Sequence, residues 1–248
     1  MTAARRLRGA APGAAIAERV AALDWEGLAA ELDAYGCATT GVLLSGDECA
    51  LLAQSYAGDA LFRSRIVMAR HGFGRGQYKY FAYPLPETVA ALRRALYPPL
   101  ARIASRWNAG MGIEIAYPAE HAAYLARCHA AGQVKPTPLL LQYEAGDYNC
   151  LHQDVYGENV FPLQVAFLLS SPGVDFSGGE FVLTEQRPRM QSRAEVVPLR
   201  QGEGVIFPVR HRPVAGARGS YRVNMRHGVS RLRSGHRHTL GIIFHDAA

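Results

Sequence analysis

Lysine is nearly missing from this chain of 248 residues: among its 27 basic residues only Lys79 and Lys135 are lysines, and the rest are arginines. The formal charge of +6 is therefore carried almost wholly by planar guanidinium groups, which suit phosphate and carboxylate. Such a balance is compatible with a nucleic-acid partner, and equally with a compositional bias that says nothing of function. Cysteine is scarce as well. Cys37, Cys49, Cys128 and Cys150 show no CxxC spacing, which argues against a disulfide framework or a cysteine-built zinc site and fits a reducing compartment. No apolar run reaches the roughly 18 residues needed to cross a bilayer, so no membrane partner is expected. The first fifteen residues bear arginines but lack the apolar stretch of a secretory signal. Residues 1–15 are expected to form a disordered tail, and the protein to be cytoplasmic. Internal repeats and low-complexity linkers are lacking too, which leaves residues 16–248 as one domain.

With 49% hydrophobic residues, the chain has ample material for a core. Its first half reads as mainly helical support. Ala17 to Tyr35 carries Val20, Leu23, Leu28 and Leu32 at helical spacing, with Gly36 as a stop. Ser45 or Asp47 can cap a second helix running towards Tyr56. A third spans Glu87 to Trp107 and must bend at Pro98-Pro99, and a fourth spans Pro118 to Ala131. From Pro138 onward the period shortens. Short runs such as LLLQY, VFPLQVAFLLS, EFVLTE, VIFPV, YRVNMRH and HTLGIIFH alternate with turn-forming stretches. The expected fold class is α+β: a double-stranded β-helix, or jelly roll, over residues 138–248 with the N-terminal helices packed outside it.

The chain's only HxD pair is His152-Gln-Asp154. On an extended backbone, residues two apart share a face, so this imidazole and carboxylate can meet one ion. A distant second histidine would complete the facial triad of non-haem iron oxygenases, which leaves open positions for a bidentate 2-oxo acid and for dioxygen. His227 ends the alternating run from Tyr221, and ten residues later Arg237 opens the last strand, sharing a face with Thr239 and Gly241. An arginine among apolar neighbours needs an anion, since an unpaired buried charge is costly. The far carboxylate of 2-oxoglutarate would satisfy it, with Thr239 assisting. His211 is the rival third ligand; His236, His238 and His245 read as surface or core histidines.

Tyr143, Gly146, the HxD pair, His227 and a basic residue ten further on resemble the 2-oxoglutarate oxygenase superfamily. Prolyl hydroxylases share these positions with lysine in place of Arg237, and AlkB-type dealkylases share the segment from Tyr143 to Asp154. Residues Phe62 to Pro86 and Leu139 to Ala247 are together similar to a bacterial oxygenase family described as acting oxidatively on alkyl-damaged DNA. The resemblance implies Fe(II) held by His152, Asp154 and His227. It implies 2-oxoglutarate held by Tyr143 and Arg237, dioxygen as co-reactant, and C–H hydroxylation with release of succinate and carbon dioxide.

The segment Phe62 to Tyr80 interleaves arginines, aromatic rings and Gly72, Gly74 and Gly76, and with the residues up to 86 it reads as a substrate lid able to hold nucleic acid. Alternatively it is a solvated loop leading into a strand from Tyr78 to Tyr83. Arg187, Arg189 and Arg193 either line the pocket mouth or decorate a surface hairpin. The chain departs from the AlkB pattern in having Val155, Tyr156 and Gly157 before Glu158, where those enzymes carry base-reading acids, and Ile243 where they carry a second arginine. The leading reading is oxidative dealkylation of damaged nucleic acid. Protein or amino-acid hydroxylation of the prolyl type is the alternative, and a cupin-like metal sensor without turnover is the third. That last reading gives Arg237 no task.

Overall fold

Asp24 decides how the chain begins. Its carboxylate accepts the amide of Gly27, starting a new helix and splitting the single helix expected up to Tyr35 into α1 (Pro12–Ala21) and α2 (Trp25–Tyr35). Gly36 closes α2 in the left-handed region at φ 81°, returning its amide to Leu32. The computed structural model describes residues 12–155, 157–216 and 219–248. Of the expected tail, 12–15 thus belong to a helix, and 1–11 lie outside the described residues.

Strand β1 (Ala38–Val42) leads to α3 (Gly46–Ser55), where Ser45 and Glu48 form a reciprocal capping box. Next come β2 (Phe62–Val67), β3 (Gly74–Arg75) and β4 (Gln77–Phe81). Helix α4 (Glu87–Gly110) runs on through Pro98 and Pro99, and α5 (His121–Ala130) follows. The remainder is β5 (Leu139–Glu144), β6 (Tyr148–His152), β7 (Leu163–Leu168), β8 (Phe176–Gly178) and β9 (Phe181–Gln186). It ends with β10 (Arg193–Val197), β11 (Glu203–Pro208), β12 (His211–Gly216), β13 (Gly219–Val229) and β14 (Leu232–Ile242).

These strands form two sheets whose ladders are antiparallel. The larger runs β1-β11-β7-β14-β5-β4-β2, with β8 beside β14; the smaller runs β10-β9-β13-β6-β3, with β12 beside β13. Residues 16–137 are thus more than helical support, since β1, β2 and β4 extend the larger sheet and β3 edges the smaller. The central strands β7 and β11 are buried at every residue. Sequence explains this: apart from Gln164 and Glu203 both are apolar runs, covered by helices on one side and the other sheet on the opposite side. Helix α4 supplies Leu92, Leu96, Leu100 and Trp107 to the first core, where they join Leu140, Phe167, Leu240 and Ile242. The second core lies between the sheets and includes Leu168, Val205 and Phe207 from one and Phe181, Leu183 and Val229 from the other.

One buried ion pair ties α4 to the chain's end. Arg93 donates to Asp246 at 2.7 Å and to the carbonyls of Ile243 and His245, while Tyr83 donates to the other Asp246 oxygen at 2.9 Å. Burial alone would raise the Asp246 pKa; the Arg93 charge, with hydrogen bonds from His129, Arg93 and Tyr83, holds it below the ordinary carboxylate value. Asp246→Asn is expected to cost about 3 kcal/mol in urea unfolding, because it strands a buried guanidinium. A carboxyl depressed by folding stabilises above its unfolded pKa and loses that contribution as pH falls through the folded value. The wild type should therefore lose more stability than the asparagine variant below about pH 4.

Candidate metal centre and cosubstrate cavity

Register brings the two distant histidines together. Strands β6 and β13 are antiparallel neighbours with His152 opposite His227, and their ring centroids lie 4.1 Å apart. Asp154 stands just past the end of β6. One of its oxygens is 3.4 Å from His152 Nε2 and the other 3.3 Å from His227 Nε2. The three potential ligand atoms all lie within 4.8 Å of one another. His152 Nδ1 is 2.8 Å from the Cys150 carbonyl. A carbonyl can only accept, so the proton sits on Nδ1 and the Nε2 lone pair is left for a metal.

Burial raises the Asp154 pKa, but hydrogen bonds and charge from both imidazoles hold it well below the ordinary value. Burial also disfavours protonation of both rings. At His152 the contact with Asp154 reverses this and the pKa rises; at His227 burial and the neighbouring His152 prevail and it falls. Two imidazoles and one carboxylate on one side of an ion are a donor set suited to ferrous iron. Gln164, the lone polar side chain in the apolar run of β7, donates to Asp154 Oδ2 at 3.0 Å. Sequence reading passed over it, although a single amide in a fully buried strand was the available signal.

Arg237 does not open the last strand, as expected, but lies in the middle of β14, paired in register with Tyr143 on β5. Both are essentially fully buried. The guanidinium donates to Thr239 Oγ1 at 2.6 Å, and its carbon lies 5.6 Å from the Tyr143 ring centroid and 5.9 Å from that of Phe176. Among the described residues its Nε meets no acceptor, and neither does the Tyr143 hydroxyl, whose neighbouring amide is that of Asn149. Among the described residues no carboxylate forms an ion pair with Arg237. Burial lowers its pKa to about 10, which leaves it charged at neutral pH. A buried cation and a buried hydroxyl, both wanting an acceptor, mark where a carboxylate fits.

The cluster and the arginine line one cavity of about 250 Å³ between the sheets. Its walls include Tyr78, Tyr80 and Tyr143 from the larger sheet and Phe181 and Val229 from the smaller, with Phe73 and Asn149 contributed by β3 and β6 and their flanks. Ile243, which replaces a second arginine, lines it too. His211 is outside the cluster. His245 is fully buried and accepts the Phe161 amide, while His238 packs its ring against Tyr56. Arg187, Arg189 and Arg193 do not line the cavity; Arg187 and Arg193 pair with Glu185 instead. The arginines of Phe62 to Tyr80 also fail to line it, and that segment is strand in β2, β3 and β4 rather than one open loop.

Among the described residues no helix is long and apolar enough to cross a membrane, and the four cysteines are free. Residues 76–247 match the Oxygenase-NA family, described as an oxygenase catalysing oxidative methylation of damaged DNA. Proteins of two Mycobacterium tuberculosis strains, both named uncharacterized, are 47% identical over 197 residues, covering 77% of this chain and 84% of theirs. Among solved structures, a 2-oxoglutarate/Fe(II) oxygenase-family oxidoreductase of Burkholderia pseudomallei is 16% identical with a TM-score of 0.53, covering 90% of this chain and 93% of that one. A Trichoplax adhaerens prolyl hydroxylase, solved with a peptide of hypoxia inducible factor, is 12% identical with a TM-score of 0.58, covering 90% and 89%. A Pseudomonas putida prolyl-4-hydroxylase is 16% identical with a TM-score of 0.51, covering 90% and 99%. These likenesses are of fold. The chain belongs to the Oxygenase-NA family, an oxygenase built on the fold of the 2-oxoglutarate- and Fe(II)-dependent dioxygenases.

Proposed function

We propose that this chain is one catalytic domain over residues 16–248, its two sheets forming a double-stranded β-helix. His152, Asp154 and His227 hold Fe(II) within it, and Arg237, Tyr143 and Thr239 hold the far carboxylate of 2-oxoglutarate. The observation that carries this is the shared cavity: three convergent ligand atoms, and a buried guanidinium and phenol left without an acceptor. When bound, the iron and 2-oxoglutarate supply the oxidation of a C–H bond by dioxygen, with succinate and carbon dioxide as coproducts. The chain's own share is positioning and exclusion of water. Arg237 and Tyr143 fix one end of the dicarboxylate. Phe181 and Phe207 pack around His227, so the ligand cannot swing. Gln164 steadies Asp154.

The substrate reading that fits the family description is an alkylated nucleobase. Oxygen insertion at an N-alkyl carbon gives a hemiaminal, which collapses to an aldehyde and the free base without any side-chain acid at the reacting carbon. Hydroxylation of a protein or amino acid is the second reading, supported by the activities named for the prolyl-hydroxylase neighbours. The test is anaerobic titration with Fe(II) and 2-oxoglutarate. A visible charge-transfer band should form only with both present. Admitting oxygen with alkylated oligonucleotides or proline-bearing peptides should then produce succinate stoichiometric with substrate oxidation. No band at millimolar cosubstrate sinks the reading. Gln164→Leu is expected to weaken Fe(II) affinity about 10- to 100-fold by freeing Asp154, read in the same titration, with the melting temperature of the metal-free protein as control.

A further inference from the structure

We propose that Phe73 is the stacking plate of the substrate site: its open face takes a planar ring of the substrate and sets that ring against the cluster of His152, Asp154 and His227. This rests on the oxygenase reading of the cavity and adds to it the residue that positions the substrate. Phe73 is 46% exposed yet lines the cavity that holds the cluster. Its ring belongs to neither apolar core. Folding therefore gives this side chain little to do.

Its backbone, in contrast, is fixed at both ends. The Phe73 amide donates to Met68 at 3.2 Å, and its carbonyl accepts the Cys150 amide at 2.9 Å. The next two residues pair with β6, Gly74 with Asn149 and Arg75 with Tyr148. Gly74 has φ 123°, and a Cβ there would sit 2.4 Å from the Tyr148 carbonyl oxygen. Only glycine permits so close an approach. That glycine acts as a clamp on the segment that bears Phe73. Cys150 precedes His152 by two residues, about 7 Å of strand, so the clamp holds the phenyl ring one short step from the metal cluster.

The ring is also backed. His71 lies alongside it with centroids 5.3 Å apart and planes 23° from parallel. A half-exposed phenyl ring supported by an imidazole and lining an aromatic-walled cavity is the arrangement by which proteins receive a flat π-system. Stacking reads shape rather than hydrogen-bond pattern. It suits a chain that lacks base-reading acids after Asp154.

The test compares wild type, Phe73→Leu and Phe73→Tyr, loaded anaerobically with Fe(II) and 2-oxoglutarate. The probes are 2-aminopurine riboside and a single-stranded heptamer carrying one central 2-aminopurine, whose fluorescence is quenched on stacking. Wild type should bind with quenching. The tyrosine variant should stay within about twofold, and the leucine variant should bind at least about tenfold more weakly and lose the quenching. The charge-transfer band and the melting temperature should not move. The inference is overturned if leucine matches wild type, or if wild type binds neither probe. If the riboside binds through Phe73 and the heptamer gains nothing at low salt, the nucleic-acid reading falls and the stacking plate stands. If no charge-transfer band forms while the Phe73 dependence persists, the oxygenase reading falls instead.

Discussion

Replacing Arg237 with methionine is expected to raise the 2-oxoglutarate concentration needed for half-formation of the charge-transfer band by roughly two to three orders of magnitude. Truncating one side of a buried, hydrogen-bonded charge pair costs about 2–5 kcal/mol, and much of that is the stranded partner. Here the stranded partner would be a carboxylate pushed between the rings of Tyr143 and Phe176. Fe(II) binding without cosubstrate should change little, because the Arg237 guanidinium meets Thr239 and the rings of Tyr143 and Phe176 rather than the three proposed ligands. Stability separates the two roles further. Without 2-oxoglutarate the wild type carries a buried cation with no ion-pair partner among the described residues, so the methionine variant should melt at the same temperature or higher. Adding 2-oxoglutarate should raise the melting temperature of the wild type and leave the variant where it was, because ligand linkage scales with concentration over Kd. Equal cosubstrate dependence in the two proteins would remove the anchor from the site.

The parts of this site legible in the sequence are those written locally. An HxD pair on an extended run needs only the two-residue period, and the arginine ten positions after His227 needs only counting. The β-rich second half announces itself by short apolar runs. What stayed hidden depends on partners far away in the chain. Glu185 stands close to Arg187 in the chain, but only the fold brings it the distant Arg212 and shows it drawing Arg187 and Arg193 away from the cavity mouth. Nothing near Asp246 names Arg93, which lies 153 positions earlier. The hairpin of β2 and β4 looked like a loop because Gly72, Gly74 and Gly76 punctuate the stretch between its strands, whereas its place was set by pairing with β5. Gln164 was obscured by the apolar strand around it. Asp24 split a helix that hydrophobic spacing had joined, since a cap acts through one side-chain oxygen and leaves no trace in the periodicity.

Asp154→Ala is expected to abolish both the charge-transfer band and succinate formation at any practical Fe(II) concentration, and Asp154→Asn to come close to doing so. The asparagine variant isolates the cause. It keeps the size of the side chain and one oxygen able to accept from Gln164, while removing the negative charge and turning the other oxygen into an amide donor. Asp154 is the one anionic group among the three proposed ligands, so without it a divalent ion would face two neutral imidazoles within a cavity that already contains the Arg237 cation. Carboxylate oxygen is also the ligand that distinguishes this donor set from a plain histidine pair, whose preference runs to other metals. The fold should tolerate both changes. Asp154 follows β6 outside the ladder, and the pairing of His152 with His227 is made by backbone groups that neither substitution alters. Metal-free melting temperatures close to wild type, alongside a lost band, would locate the defect at the ion. Wild-type Fe(II) affinity in the asparagine variant would mean that the carboxylate is no ligand, and the facial arrangement would have to be given up.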